Sequence, residues 1–524
     1  MTAVSIEKLL AQEVGSFAEL IRAQAQAAPD RPAIVTESAT IDRAALDALM
    51  DRVAAALQRD GVVPGDSIAV AATSSIEVAA VYLGAVRAGA AVAPLQPQVS
   101  PDSLAAMIED TGARHLFVDT AAARRLDAAA RPPAAARIAL DGGSAGQPFA
   151  DWLAPPGLAP RPVDVDPLGP FNIIYSSGTT GRPKGIVQPN RMRWAHLRRC
   201  AAFGYGADTL NLVSTPLYSN TTLVNFLPTI PLGGTIVLQT RFDAGGFLRL
   251  AEAYRATHAT LVPVQYERVL RVPDFDRFDL SSFRLKFCTS AHLPATTKAE
   301  ILARWPGGLV EVYGMTEGGG TCLLAAHEHP DKLHTVGRPA RGHELHVIDD
   351  EGRVLAAGEV GEVVGRSPTA MMTGYHHAPA ETAAALWHDA GGRPYIRTGD
   401  LARFDEDGFL TLVGRKKDVI ISGGFNVYAV DLETVLATHP AVAEAAVVGV
   451  PSPTWGETPV AFIVLRAGHT AEPESIRAFA NERLGNTQRI AAVELTAELP
   501  RSTIGKVLKR ELRERAARAT LPRG

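Results

Sequence analysis

The sequence predicts an α/β protein: a large N-terminal domain of βαβ subdomains that also carries a β-rich subdomain, followed by a small C-terminal α+β domain. Three observations predict it. Short apolar strands alternate with amphipathic helices in two series, the first ending near residue 118 and the second running from Phe171 to about 330. From about 340 to 413 the apolar runs shorten to hairpin spacing. The charged turn Gly414-Arg-Lys-Lys-Asp418 then precedes a last small α/β stretch. Alternating strands and helices give right-handed βαβ units around a mainly parallel, covered sheet. At about 100–200 residues per domain, a chain of 524 residues holds roughly two to four domains.

The elements follow in order. Ser16-Phe-Ala-Glu19 is a capping box, and Phe17, Leu20 and Ile21 continue at helical spacing until Pro29. Leu46, Leu49, Val53 and Leu57 form a second apolar stripe, with Gly61 as its C-terminal stop. Ile68–Ala71 reads as a strand, 75–88 as a helix, Val92–Leu95 as a strand, 101–112 as a helix and Leu116–Val118 as a strand. Residues 121–170 are rich in Ala, Pro and Gly and read as a surface connection without a core. The second series has strands at Phe171–Ile174, Leu212–Ser214, Thr235–Leu238, Thr260–Val262 and Leu285–Phe287. Glu344–Ile348, 361–365 and Gly408–Val413 read as hairpin strands.

Composition narrows the function. The net charge is −4, with 52 basic and 56 acidic side chains, which gives no electrostatic case for nucleic acid or a membrane surface. No apolar run approaches the roughly 20 residues that span a bilayer. The N-terminus lacks a basic segment followed by an apolar core, so a cytoplasmic protein is expected. Cys200, Cys288 and Cys322 are too far apart for a disulfide framework or a metal-ligand spacing and read as buried thiols. The basic stretch from Lys506 to Arg523 reads as a solvated terminal helix.

The most informative stretch is Ser176-Ser-Gly-Thr-Thr-Gly-Arg-Pro-Lys-Gly185, directly after an apolar strand. Its glycines let the backbone turn and aim N–H groups inward, its hydroxyls add donors, and Lys184 adds charge; such a nest binds phosphate. The spacing from Gly178 to Lys184 is not that of a Walker A loop, and no Ser or Thr follows the Lys. By composition alone a glycine-rich surface turn reads equally well.

Four further motifs follow in order: Glu311-Val-Tyr-Gly-Met-Thr-Glu317, Tyr395-Ile-Arg-Thr-Gly-Asp-Leu401, Gly414-Arg-Lys-Lys-Asp-Val-Ile-Ile-Ser-Gly-Gly424 and Pro500-Arg-Ser-Thr-Ile-Gly-Lys506. Together with the glycine-rich stretch they resemble the adenylate-forming superfamily, in its acyl-CoA synthetase and aryl-CoA ligase branch. The resemblance implies ATP, Mg²⁺ and coenzyme A as cofactors. It implies an N-terminal nucleotide-binding domain at 1–413, a hinge at 414–417 and a small mobile C-terminal domain at 418–524. Two anions must meet and charge gathers on phosphate oxygens, so catalysis is mainly positioning and neutralisation.

The resemblance assigns the residues. Ser176, Ser177, Gly178, Thr179, Thr180, Gly181 and Lys184 would cradle the β- and γ-phosphates. Thr316 would contact the α-phosphate, and Glu317 with Thr180 would hold Mg²⁺. Ser290, Ala291, His292, Gly314 and Met315 would border the nucleotide, and Tyr313 would offer a face to adenine. Asp400 would accept hydrogen bonds from both ribose hydroxyls, and Arg415 would add charge beside ribose and phosphate. Lys506 would bridge the attacking carboxylate and the α-phosphate. Lys417 would be the pivot of the hinge, and Gly423 and Gly424 would let a thin thiol arm pass close to backbone.

The acyl pocket implied by the resemblance draws on Tyr218, Ser219, Thr222, Ser290, Ala291, Met315 and Gly318, Gly319 and Gly320, whose glycines leave room at its floor. None of these segments carries an Arg for a second carboxylate or an Asp for an α-amino group, which points to a neutral aliphatic or aromatic acid. Two departures stand out: Gln188-Pro-Asn190 lies where relatives carry a His, and Ser219 replaces a second, gating His. The expected activity is acyl-CoA synthesis by a monomer or homodimer. The competing readings are a loader of a separate carrier protein, a luciferase-like oxygenase and a non-catalytic nucleotide-binding regulator. The chain stops soon after Lys506, which favours free coenzyme A, and retention of Lys184, Glu317, Asp400 and Lys506 counts against the regulator.

Overall fold

The computed structural model describes residues 5–176, 184–423, 425–485, 488–502 and 505–518. Internal contacts divide the chain into two units: Met1–Leu333, Ala340–Glu344 and Arg366–Ile396 form the first, and His334–Pro339, Leu345–Gly365 and Arg397–Gly524 the second.

Two sheets build the first unit. One runs, edge to edge, through Gly374–Tyr375, Lys184–Pro189, Pro170–Ser176, Ala91–Pro94, Ser67–Ala71, His115–Val118, Ala136–Ala139 and Gln147–Pro148. It is parallel from Pro170–Ser176 onward and antiparallel on the Lys184–Pro189 side. The other runs through Thr321–Ala325, Gly308–Gly314, Leu285–Thr289, His258–Leu261, Leu210–Val213, Thr235–Leu238, Pro32–Val35 and Thr40–Asp42. Its centre is parallel and its two ends are antiparallel.

The helices start where the sequence caps them. Ser16 Oγ accepts the Glu19 N–H ahead of Phe17–Ala27, and Ser75 Oγ accepts the Val78 N–H ahead of Ile76–Arg87. Arg43–Arg59 and Ile76–Arg87 pack closely because Gly84 has no Cβ: one placed there would lie 2.6 Å from Val53. The three cysteines are buried thiols, as expected. Among the described residues no helix is long and apolar enough to cross a membrane.

One expectation fails. The stretch 121–170 is not merely a surface connection. It adds the helix Thr120–Asp127 and the strand Ala136–Ala139, which pairs in parallel with His115–Val118. Trp152 is buried edge-on against Phe117 at 5.1 Å, and its Nε1 donates to Asp60 at 2.8 Å. Phe149 stacks on Trp152, and the two join Ile138, Leu140 and Leu153 in giving a core to a segment whose composition looks like a linker.

The second unit holds the hairpin of Pro394–Phe404 and Leu410–Arg415, paired from Asp400↔Arg415 to Phe404↔Leu410. It also holds a sheet ordered Phe425–Val427, Ile420–Ser422, Gly456–Leu465, Val442–Ser452, with Ala492–Leu495 paired in parallel to Gly456–Leu465. The helices Ala429–Ala437 and Pro473–Asn481 bury Leu432, Leu436, Ile476 and Ala480 in one core with this sheet. Lys509–Arg518 buries Leu512 and Ala516 in a second cluster with Val448 and Phe462. The basic C-terminal stretch is therefore partly a packed helix.

A buried ion pair fixes the strand that leads to Tyr313–Glu317. Lys298, on the helix Ala295–Arg304, pairs with Glu311, and both are almost fully buried. Glu311 also accepts the Leu293 N–H at 3.1 Å, and Lys298 donates to the Leu333 carbonyl at 2.7 Å. Removing one partner strands the other charge in the core, at a cost of about 3–5 kcal/mol, whereas an apolar pair of similar volume is tolerated. Lys298→Met should therefore lower the thermal unfolding midpoint sharply. The double variant Lys298→Met/Glu311→Leu should recover most of the loss in the same calorimetric scan.

Candidate active site

The strands Pro170–Ser176 and Lys184–Pro189 pair antiparallel as far as Ser176↔Lys184, so the segment between them leaves and returns at one end of the sheet. Ser177, Gly178, Thr179, Thr180 and Gly181 lie outside the described residues. At the return, Lys184 Nζ sits 5.4 Å from the centre of the Tyr375 ring. The Tyr375 hydroxyl donates to Glu317 Oε1 at 3.0 Å. Burial and the Glu317 charge push the Tyr375 phenol well above its ordinary range, so it stays a neutral donor. Lys184, Tyr375 and Glu317 thus form a row contributed by three separate segments.

Glu317 ends a turn that follows the strand Gly308–Gly314, which carries Tyr313. The turn is pinned to Ala370–Met372: the Gly319 N–H donates to the Ala370 carbonyl at 2.7 Å, and the Met372 N–H donates to the Glu317 carbonyl at 2.8 Å. Gly318 and Gly319 adopt φ of +77° and +82°. A Cβ on Gly318 would meet the Ala370 carbonyl oxygen at 2.2 Å. The space that Gly318 leaves is therefore filled by the protein's own backbone.

Beneath the turn lies a polar network whose centre, Asn172, Gln188 and Arg193, is fully buried. Gln188 Nε2 donates to the Thr316 carbonyl at 2.6 Å, and its Oε1 accepts from Asn172 at 3.0 Å. Arg193 donates to Asn172 at 2.7 Å and to Asn220 at 2.9 Å. Burial pulls the Arg193 guanidinium down to about 10, which leaves it charged at neutral pH. His196, beside it, is held far below its usual range by burial and by Arg199 and Arg193, and is neutral. Gln188 is thus a buried clamp on Thr316. Asn190 instead ties down the chain ahead of the hairpin, where its side chain donates to the carbonyls of Asp166 and Gly169 at 2.8 and 3.1 Å.

Ser290 has φ of +80°, uncommon for a residue with a side chain, and its hydroxyl contacts that of Thr221. Ala291 is half-buried and His292 is exposed. Thr222 donates to the Pro216 carbonyl at 2.6 Å and lies 2.7 Å from the Thr215 hydroxyl. Ser219 is buried at the start of the helix Asn220–Thr229, and Tyr218 is half-buried. Within the first unit the described part of the expected acyl region therefore collects hydroxyls and glycines, with no charged side chain of its own.

In the second unit the hairpin register sets Asp400 opposite Arg415, and their side chains pair at 2.7 Å. Asp400 is anchored further by its own N–H, which donates to Thr398 Oγ1 at 3.0 Å. Arg415 donates to the Thr398 carbonyl at 3.2 Å and keeps 44% of its side chain exposed. Lys417 is exposed in the short turn Lys416–Asp418. Gly423, at φ of +58°, lies against Trp455, which a Cβ would meet at 2.9 Å; Gly424 lies outside the described residues. Lys506 is exposed on a tight turn, where its N–H donates to Ser502 Oγ at 3.1 Å and Arg501 donates to the Gly505 carbonyl at 2.8 Å.

Sequence reasoning missed Asn172, Arg193, Asn220 and Tyr375. A buried arginine looks like any other in Asn190-Arg-Met-Arg-Trp-Ala-His, and only the packing distinguishes it.

Comparison with known proteins gives a consistent result. The AMP-binding enzyme family matches residues 21–376, and the AMP-binding enzyme C-terminal domain matches 431–506. An indoleacetate–CoA ligase from Aromatoleum aromaticum is 32% identical over 96% of this chain and 99% of its own. A fatty acid–[acyl-carrier-protein] ligase, ScoC, from Streptomyces coeruleorubidus is 32% identical over 94% of each. The solved structure of the amide bond synthetase McbA from Marinactinospora thermotolerans superposes with a TM-score of 0.84 at 29% identity, covering 95% of this chain and 99% of that one.

Arg193 carries the network, so Arg193→Met should leave the Asn172 and Asn220 oxygens short of donors and cost about 3 kcal/mol. Arg198→Met, on the exposed face of the same helix, should change stability by less than about 0.5 kcal/mol. Thermal unfolding of the two variants side by side checks the contrast.

Proposed function

Because the chain belongs to the AMP-binding enzyme family, in the acyl-CoA synthetase branch of the adenylate-forming superfamily, we propose that it activates a neutral carboxylic acid with ATP and transfers the acyl group to coenzyme A. The substrate carboxylate oxygen attacks the α-phosphorus, the bond to the β-phosphate breaks, and pyrophosphate leaves. The thiol then attacks the acyl carbon, AMP leaves with the bonding electrons, and the thiol proton passes to solvent.

The observation that carries this reading is the row of Lys184, Tyr375 and Glu317 beside a Thr316 backbone clamped by Gln188. It supports a site in which charge on phosphate oxygens meets fixed partners that need no reorganisation. Lys184 neutralises the pyrophosphate side, and Thr316 addresses the α-phosphate. Glu317 accepts the Tyr375 hydroxyl through Oε1 and has its other oxygen for a hard cation, which fits Mg²⁺. Bound there, Mg²⁺ would neutralise the phosphate oxygens. Tyr313 lies against adenine. Asp400, held in place by Arg415 and Thr398, accepts the ribose hydroxyls. Lys506 bridges the carboxylate and the α-phosphate. Gly423 and Gly424 border the path of the thiol arm.

We place a hinge at 414–417, with Lys417 as its pivot, separating 1–413 from 418–524. This is a division by motion, distinct from the division by contacts in which 397–413 group with the C-terminal residues. The absence of a charged side chain in the described acyl region supports a neutral acid, and the absence among the described residues of a helix long and apolar enough to cross a membrane fits a cytoplasmic setting.

Two measurements test the reading. A panel of carboxylic acids should release pyrophosphate with ATP, and turnover should rise with coenzyme A. Release that needs a carrier protein or an amine instead would replace the thiol half-reaction while leaving adenylation intact. Lys506→Ala should abolish adenylation yet spare thiolysis of pre-formed acyl-adenylate, and Asp400→Ala should raise the KM for ATP at least tenfold. Adenylation by Lys506→Ala at the unmodified rate would remove the role given to that lysine.

A further inference from the structure

Beside the phosphate-loop hairpin lies a group of side chains that the reaction does not use. Asp110 lies in the last turn of the helix Pro101–Thr111, and His376 and His377 follow the strand Gly374–Tyr375. One donor atom from each of the three lies within 4.8 Å of the others. His376 Nδ1 stands 3.5 Å from Asp110 Oδ2, and this buried ring nitrogen makes no hydrogen bond among the described residues.

Neighbouring residues on an extended strand point to opposite sides. His377 escapes that rule because its φ is +51°, in the left-handed region. The two rings are thereby brought to a centroid separation of 3.9 Å, on the same side as Asp110. His376 is fixed by its N–H, which donates to the Gly185 carbonyl at 2.7 Å. Asp110 is fixed by the Tyr175 hydroxyl, which donates to Oδ2.

We propose that Asp110, His376 and His377 bind a Zn²⁺-class divalent ion, distinct from the Mg²⁺ that accompanies ATP at Glu317. Two neutral imidazoles and one carboxylate are a borderline donor set that prefers Zn²⁺ to Mg²⁺. With ligand distances of about 2.0–2.1 Å, a tetrahedral ion needs donors about 3.3 Å apart. The His376–Asp110 pair already stands near that separation, and His377 closes the remainder by side-chain rotation. His377 is exposed, so the fourth position faces water. The ion would tie the helix Pro101–Thr111 to the segment that carries Tyr375, and so brace the strand Lys184–Pro189 from outside the reaction.

The test is a titration of the tag-free full-length protein with Co²⁺ and then Zn²⁺, without ATP. The proposal expects one equivalent of Co²⁺ with visible absorption of a four-coordinate site, displaced by one equivalent of Zn²⁺ and not by excess Mg²⁺. His376→Gln/His377→Gln and Asp110→Asn should each weaken binding at least tenfold, while His388→Gln leaves it unchanged. The metal-free melting curve of each variant verifies that it folds. His377→Gln alone, at an exposed position, serves if the double variant does not. No stoichiometric binding by the unmodified protein, or equal binding by folded variants, overturns the proposal whatever the fate of the ligase reading.

Discussion

The candidate site in the first unit depends on one buried cation. Arg193 sits in the interior, its hydrogen-bond partners among the described residues include no carboxylate, and two asparagine oxygens accept from it. A buried charge is costly unless its hydrogen bonds are made, so the surrounding amides must hold fixed orientations. Asn172, oriented by Arg193, orients Gln188, and Gln188 holds the Thr316 carbonyl. One guanidinium therefore locks the strand pair Pro170–Ser176 and Lys184–Pro189, the helix behind it, the start of the helix at Asn220 and the Thr316 turn. None of these contacts touches a reacting atom, yet each limits where Thr316 and Glu317 can be.

The same region is held from above by backbone. Gly318 and Gly319 take left-handed conformations so that the Thr316–Glu317 turn can lie against Ala370–Met372. The chain from Ala370 then continues to Tyr375, whose hydroxyl returns to Glu317. Glu317 is thus fixed twice by one short segment, through its carbonyl and through its carboxylate. The cation contact proposed for Glu317 would benefit from a carboxylate over-determined in this way.

Much of this was legible in the sequence. The cap at Ser16, the strand–helix alternation and the order of the five motifs follow from local patterns, and local patterns survive folding. Asp400 and Arg415 were picked out separately and prove to be cross-strand partners, because hairpin register turns sequence spacing into contact. Trp152 was not legible, since the Ala- and Pro-rich sequence around it hides a few apolar anchors, and two of its partners, Phe117 and Asp60, lie far upstream. Gln188 stood out only as a departure, because its role depends on burial, which has no signature in an amide. Tyr375 and the pair His376–His377 went unremarked because Glu317 and Asp110, which give them meaning, are distant in sequence.

Burial also separates the cations that build the protein from those to which a chemical part is proposed. Lys286 is fully buried, donates to the carbonyls of Trp305, Pro306 and Gly307, and is pulled down to about 7 by desolvation. Lys298 is spent on Glu311. Neither can follow a ligand, since the protons it could offer are already committed to the fold. Arg415 and Lys506 are mounted in the opposite way. Arg415 keeps nearly half its side chain in solvent while its Nε holds Asp400. Lys506 is exposed, its N–H donating to Ser502 Oγ while Arg501 donates to the Gly505 carbonyl. The part proposed for it, reaching a phosphate, calls for a cation that burial has not already committed to the fold, and an exposed lysine meets that requirement where Lys286 and Lys298 do not.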